Sequence, residues 1–176
     1  MKNLQNNKIL KSSGLVLVNS TNYNQWQYEQ FKPYIGDKVL EIGSGLGNLT
    51  QFLLQGAKYL MSTDIKPDAV DYCKNRFNNI NNNVELNIKC MDIIQDDLVG
   101  YPDFNTIVFS NVLEHIQDDL SAMKKCHDLL NLNSGILLLL VPAHQFLYGT
   151  LDRESGHFKR YSKKDIIYLA DQANFK

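Results

Sequence analysis

The sequence predicts an α/β fold: an open, doubly wound, mainly parallel sheet with helices on both faces, three layers in all. Three observations carry this. From residue 38 onward, short apolar runs alternate with segments of helical period. The longest run, Ile136 to Val141, is apolar throughout, as a strand covered on both faces must be. The first run leads straight into three closely spaced glycines before a helix begins. That strand–turn–helix unit opens such sheets and meets a ligand at the carboxyl ends of the strands.

Each element has a local reason. Ser20, Thr21 or Asn22 caps a first helix carrying Tyr23, Trp26, Tyr28 and Phe31, which Pro33 ends. Gly36-Asp37 turns into a strand over about 38–43, and a helix over about 48–55 stops at Gly56. A strand from Tyr59 to Thr63 leads to Asp64, and the next helix sets Val70, Cys73, Phe77 and Ile80 on one face. After a loop rich in asparagine (Asn78-Asn79, Asn81 to Asn83), Val84 to Ile88 alternates as a strand and ends near Asp92. Phe104 to Phe109 is the fourth strand, followed by a helix through Leu120, Met123 and Leu130. Asn133-Ser134-Gly135 turns into the fifth strand. A last helix is capped by Ser162, with Asp165 three residues on, and carries Ile166, Leu169, Ala170 and Ala173. Residues 1–19 are expected to form a flexible segment and residues 20–176 a single domain.

Composition narrows the function. With 44% apolar and 21% charged residues the chain can build an ordinary globular core, and 176 residues bury roughly 70% of the unfolded surface. A net charge of −1 argues against a nucleic-acid or anionic-membrane partner. Met1 to Gly14 is polar and lacks the apolar stretch of a signal peptide. The longest apolar run is far short of the ~20 residues a membrane span requires. Cys73, Cys90 and Cys126 are odd in number and have no CxxC or histidine pairing, so reduced thiols and a cytoplasmic location are expected.

The glycine spacing decides the ligand class. A dinucleotide turn reads G-x-G-x-x-G; here the pattern is Gly43-x-Gly45-x-Gly47, and Asn48 stands where the third glycine belongs. No G-K-[ST] follows, so it is not a phosphate loop. Glu41, two residues before the first glycine, would repel a pyrophosphate and suits a cationic ligand. Asp64 ends the second strand about twenty residues on, where an acid bonds ribose hydroxyls in several nucleoside-binding sheets.

The run from Val39 to Thr50 resembles the first motif of the class I S-adenosylmethionine-dependent methyltransferases, E/D-x-G-x-G-x-G. Ser110 to Asp119 looks like the NVLEHI-x-DD signature of one branch, of the type 11 and type 23 kind. Its bacterial members often accompany glycosyltransferases, and its relatives include the ubiquinone-biosynthesis O-methyltransferases. Val141-Pro142-Ala143-His144, Leu147-Tyr148-Gly149, Leu151-Asp152 and the run Gly156 to Tyr161 match that branch's VPAH…LYG…LD…GH-x-RRY series.

The resemblance implies a Rossmann-like sheet, S-adenosylmethionine as cofactor, S-adenosylhomocysteine as product and a small-molecule acceptor. By it, Gly43, Ser44, Gly45 and Gly47 floor the pocket and Glu41 faces the methionine amino end. Asp64 holds the ribose, with Ile65 next to it a further cofactor-binding candidate; Asp92 and Ile93 hold the adenine, and Ser110 with Asn111 lies beside the methionine portion. Tyr23 and Trp26 are candidates for an aromatic lid. His115, His144 and His157 are candidate bases, with His115 and His157 favoured, and Lys159 and Arg160 are candidates to meet an anionic group. In the ubiquinone relatives an acid and the Glu-His pair of the signature can bind magnesium. Glu114 and His115 match, but Asn111 replaces the first acid, so no required metal is expected.

The resemblance also implies seven strands in the order 3-2-1-4-5-7-6. Five are readable, so the last two are expected to be lacking and the fifth to be an uncovered edge, open to self-association or to a partner. Two other readings remain. A nicotinamide-dependent oxidoreductase is disfavoured by Asn48, by Glu41 and by the absence of a Tyr-x-x-x-Lys. A non-catalytic S-adenosylmethionine-binding scaffold is separable only by a turnover test.

Overall fold

The computed structural model describes residues 21–80, 83–97, 100–130 and 135–176. The expected 1–19 segment, the Ser20 cap, Asn81-Asn82 and the Asn133-Ser134 part of the last turn lie outside the described residues.

Helix α1 spans Thr21–Phe31 and passes into a 3-10 turn, Lys32–Tyr34, at Pro33. There follow β1 Lys38–Ile42, α2 Thr50–Leu53, β2 Tyr59–Asp64, α3 Pro67–Phe77, β3 Glu85–Cys90, β4 Thr106–Ser110, α4 Asp119–Leu129, β5 Ile136–Leu140, α5 Thr150–Ser155 and α6 Lys163–Gln172. The strands form one sheet in the order β3-β2-β1-β4-β5, and every pair is parallel. Glu41 therefore lies between Ser62 and Val108, and Ile42 between Thr63 and Phe109.

Alternation along the central strands supplies both cores. Leu40, Met61, Ile107 and Phe109 face a cluster with Leu113, Met123, Cys126, Tyr161 and Leu169, drawn from α4, α6 and the loops beside them. Val39, Leu60, Val108 and Leu138 face Tyr28 and Phe31 of α1, Leu53 of α2, and Cys73 and Phe77 of α3. This is the three-layer arrangement the sequence predicts. Among the described strands β5 is an edge, with Leu138 buried and Ile136 exposed.

Several details differ from the sequence reading. The face that α1 buries is Asn24, Gln27, Tyr28 and Phe31, spaced by three and four residues. Tyr23 and Trp26 stack on each other at 5.9 Å on the exposed side, with Trp26 at 50% exposure. Helix α2 is shorter than expected, because the glycine turn continues up to Leu49 before helical hydrogen bonding begins. Ile80 lies beyond the end of α3 and is exposed. Helix α5 is unforeseen: it has no apolar period, and local bonds hold it. The Gly149 N–H donates to Asp152 Oδ2 at its start, and Gly156, at φ +80, ends it in the left-handed region.

Candidate functional site

All three glycines of the turn after β1 are left-handed, at φ +72, +54 and +76 for Gly43, Gly45 and Gly47. They differ in what surrounds them. A methyl built on Gly43 would lie 2.4 Å from Val112 Cγ2, and one on Gly47 would lie 2.5 Å from Phe77 Cε2. One on Gly45 meets nothing within 4 Å. Gly43 and Gly47 thus let the turn sit down on the protein, while Gly45 faces open space where a ligand can come close to the backbone.

The turn is tied down from beneath. The Ser44 N–H donates to Thr63 O at 2.8 Å, the Gly45 N–H to Asp64 Oδ2 at 2.8 Å, and Cys73 Sγ–H to Gly45 O at 3.2 Å. Arg76 donates to Leu46 O at 2.6 Å, and its other contacts are Asn48 Oδ1 and Gln51 Oε1. Asn48, foreign to a dinucleotide turn, is here an acceptor for Arg76.

Glu41 lies under this turn, 3% exposed, with Oε2 accepting from Thr50 Oγ1 at 2.6 Å and Ser62 Oγ at 2.8 Å. Burial raises its carboxyl to about 7; the two hydroxyls pull the other way without cancelling it. Asp64 is 8% exposed; Oδ1 accepts from the Lys66 N–H and Oδ2 from the Gly45 N–H, so it braces two loops at once. Ile65 beside it is exposed.

Asp92, just past β3, accepts from the Ile94 and Gln95 N–H groups through Oδ1, while the Ile93 side chain is buried in the core. Any contact Ile93 makes with a ligand must therefore come from its backbone. Ser110 and Asn111 end β4, and Asn111 sits at φ +55, an unusual conformation for a residue with a side chain. The cofactor-binding candidates thus gather along one edge of the sheet, the carboxyl ends of β1, β2, β3 and β4.

The two favoured histidines, 42 positions apart in sequence, meet here: His115 and His157 stand edge to face with ring centres 4.6 Å apart. Glu114, His115 and His157 each present a ligand-type atom, and all lie within 4.8 Å of one another. The Glu114 side chain is fully buried, and among the described residues neither carboxylate oxygen has a hydrogen-bond partner. Burial raises its carboxyl to about 7, and burial followed by the neighbouring His157 lowers the His115 imidazole. His157 Nδ1 is 2.9 Å from Asp152 Oδ1, and Asp152 is 2% exposed.

The hydrogen bond from Arg160 Nε to Asp152 Oδ1, at 2.7 Å, holds the Asp152 carboxyl far below its ordinary range. The segment is fixed to the β4 loop by the Phe158 N–H donating to Glu114 O, and by Tyr161 O–H, which has Asp119 Oδ2 at 2.9 Å and Leu113 O at 3.2 Å as acceptors. His144, the remaining histidine candidate, is exposed at φ +66 against Phe146.

The profile of the methyltransferase domain family matches residues 40–136, more than half of the chain. The chain belongs to this family. Among solved structures the methyltransferase domain resembles the N-methyltransferase NodS of Bradyrhizobium japonicum, solved with S-adenosylhomocysteine. The TM-score is 0.71 at 20% identity, over 94% of this chain and 82% of that one. A probable ribosomal RNA small subunit methyltransferase A of Methanosarcina mazei is 33% identical over 139 residues, 77% of this chain and 45% of that protein. A ubiquinone biosynthesis O-methyltransferase of Haemophilus ducreyi is 21% identical over 91% of this chain and 73% of that protein. The chain spans less than half the length of the ribosomal RNA methyltransferases it matches. Fold and family together make this a methyltransferase domain on a Rossmann-like sheet. Among the described residues, no helix is long and apolar enough to cross a membrane.

Two features of the methyltransferase domain escape sequence reading. Lys159 and Arg160, expected to meet an anionic group, are already engaged. Lys159 Nζ lies 2.6 Å from Asp119 Oδ2, and Arg160 holds Asp152. The sequence signal was the acids at 119 and 152, but nothing local pairs residues this far apart. Asp152 itself was legible only as one letter of a motif; its contact with His157 depends on the αL turn at Gly156.

Proposed function

We propose that the domain transfers the methyl group of S-adenosylmethionine to an oxygen or nitrogen of a small-molecule acceptor. The observation that carries this is the open space over Gly45, with Asp64 on one side and the histidine pair in the loops of the same sheet edge. The residues fit the cofactor. Gly45 leaves its backbone clear, each Asp64 oxygen keeps a lone pair beyond the one it gives to an amide, and Glu41 and Asp64 set two carboxyls beneath a cationic ligand. When bound, the cofactor supplies an electrophilic methyl on a positively charged sulfur.

The chain's own task is placement. Gly43, Ser44, Gly45 and Gly47 set the floor, Glu41 stands toward the amino end, Asp64 and Ile65 take the ribose, Asp92 and the Ile93 backbone the adenine, and Ser110 with Asn111 the methionine portion. Holding donor and acceptor in line supplies much of the acceleration. On the acceptor side, His115 and His157 hold or receive the acceptor's proton, and Asp152 on Nδ1 fixes the tautomer that leaves Nε2 of His157 available. Asp152 is thus a positioning residue.

The small-molecule reading is supported by the weakly acidic net charge and by the engagement of two of the three cations of the 153–161 run, Lys159 and Arg160, with acids. A ribosomal RNA acceptor is the alternative that the Methanosarcina relative brings. Calorimetric titration with S-adenosylhomocysteine and with NADH tests the cofactor; binding of the first alone is expected. Methyl transfer to phenols, amines and sugars, set against small-subunit ribosomal RNA, tests the acceptor, and labelling confined to the RNA refutes the small-molecule reading.

A further inference from the structure

We infer that Glu114, His115 and His157 form a binding site for one divalent transition-metal ion of the zinc class, at the acceptor end of the pocket. The inference rests on the acceptor position proposed above and replaces the imidazole-base role there: with an ion bound, His115 and His157 are its ligands, and the acceptor's proton is left to another group.

The first observation is an unpaid cost. The Glu114 carboxyl is fully buried, with no hydrogen-bond partner on either oxygen among the described residues. Such a group is expensive to keep unless something cationic or proton-bearing meets it. Among the described residues, two imidazoles bring ring nitrogens within 4.8 Å of it, and no lysine or arginine bonds to it.

The second observation is the geometry of the three groups. Their ligand atoms lie within 4.8 Å of one another. Ligands on one zinc ion at about 2.0–2.2 Å stand roughly 3–3.6 Å apart, so closing on an ion asks for side-chain movements of about an ångström. His115 is exposed and has room to make that movement.

The third observation is the support behind His157. Nδ1 is committed to Asp152, which Arg160 and the Gly149 N–H hold in turn. This carboxylate behind an imidazole is the arrangement that orients metal-ligating histidines and raises their basicity. It leaves Nε2 as the nitrogen for the ion.

Two nitrogens and one carboxylate select the ion. Imidazole suits zinc, iron, nickel and copper, whereas magnesium takes oxygen donors almost exclusively. The site therefore differs from a magnesium site built on the Glu-His pair and a preceding acid. It does not use position 111, and its third ligand comes from beyond β5. The expectation of no metal rested on Asn111, which this ligand set does not need. Three protein ligands leave open positions for water or an acceptor oxygen on the exposed His115 side.

The test uses the full chain carrying Cys90→Ser, which removes the one exposed thiol among the described residues. After dialysis against a chelator, it is titrated with zinc chloride by calorimetry and with cobalt chloride by visible absorption; magnesium chloride serves as competitor. The expected result is one ion per chain with d–d bands in the cobalt form, unmoved by a large excess of magnesium. His115→Ala, which changes an exposed side chain and leaves the core intact, is expected to weaken zinc at least 100-fold. Asp152→Asn, acting only through His157, is expected to weaken it 10- to 100-fold. Failure of the parent protein to bind zinc stoichiometrically, or unchanged affinity in His115→Ala, overturns the inference. Titration of the same samples with S-adenosylhomocysteine keeps the two readings apart: binding there with no zinc site refutes the metal alone, and no binding refutes the cofactor reading.

Discussion

Glu41→Gln should flatten part of the pH dependence of folding stability. Glu41 is enclosed under the glycine turn, and burial moves its ionisation from 4.5 to about 7. In the unfolded chain it ionises near its ordinary value, so between the two values the native state holds a proton that the unfolded state has lost. Stability therefore falls as pH rises through this window: the contribution is full below about 4.5 and gone above about 7. The span corresponds to about 3 kcal/mol, most of which is lost between pH 5 and pH 8. A glutamine keeps an oxygen for Thr50 and Ser62 and has nothing to titrate. Its absolute stability differs for reasons of hydrogen bonding alone, so the readout is the slope. Urea denaturation followed by far-ultraviolet circular dichroism, repeated from pH 5 to pH 8, gives both profiles. The wild type is expected to lose about 2–3 kcal/mol more than the variant across that range. Titrating groups away from Glu41, Glu114 included, are common to the two and drop out of the comparison. Parallel profiles would refute the assignment and place the Glu41 proton elsewhere.

Asp64→Ala should weaken S-adenosylhomocysteine by ~1.5–3 kcal/mol in calorimetry, the scale of a hydrogen bond to a charged group, and equal binding removes Asp64 from the site. Gly47→Ala, which forces a methyl 2.5 Å from Phe77 at φ +76, should cost about 2 kcal/mol or more by thermal or chemical denaturation. His157→Ala should lower turnover by ~100-fold or more with cofactor affinity nearly unchanged, whereas equal losses of both would make the residue structural. Tyr161→Phe removes the hydroxyl that joins Asp119 and Leu113 O, and is expected to cost about 1–2 kcal/mol of stability in denaturant titration.

The parts of the fold legible in the sequence are those whose reasons are local. Val39-Leu40 and Ile107-Val108-Phe109 announce buried strands by composition, and Gly43, Gly45 and Gly47 announce a turn because side chains are disfavoured at their φ. Ser162 with Asp165 gives a cap that forms as read, the Asp165 N–H donating to Ser162 Oγ at 3.2 Å. What was hidden depends on partners distant in sequence. Tyr23 and Trp26 are as apolar as Tyr28, and it is the distant cluster that receives Tyr28 and Phe31, with Phe52 5.9 Å from the Tyr28 ring, that sets which side of α1 goes in. The pairing of Lys159 with Asp119 and the approach of His157 to Glu114 likewise belong to the tertiary path, not to any window of sequence.

Tyr161 has a consequence for the order in which the molecule assembles. The nucleoside side of the cofactor edge, apart from the β4 residues Ser110 and Asn111, is made by β1, β2 and their turn, whose contacts close within about twenty residues, as the Gly45–Asp64 bond does. The histidine pair waits on a closure of 48 residues, between Tyr161 and Leu113, together with the Ala143–Tyr161 bridge after β5. Contacts of greater sequence separation carry a larger loop entropy and form later. The nascent chain can therefore hold a nearly complete nucleoside pocket before it holds any acceptor chemistry. The same asymmetry runs in reverse in the native state. An opening limited to residues 141–161 draws His157 off Glu114 and leaves the central sheet closed. Amide exchange at Phe158, whose N–H bonds Glu114 O, would report that opening, and exchange at Gly45 would stay slow.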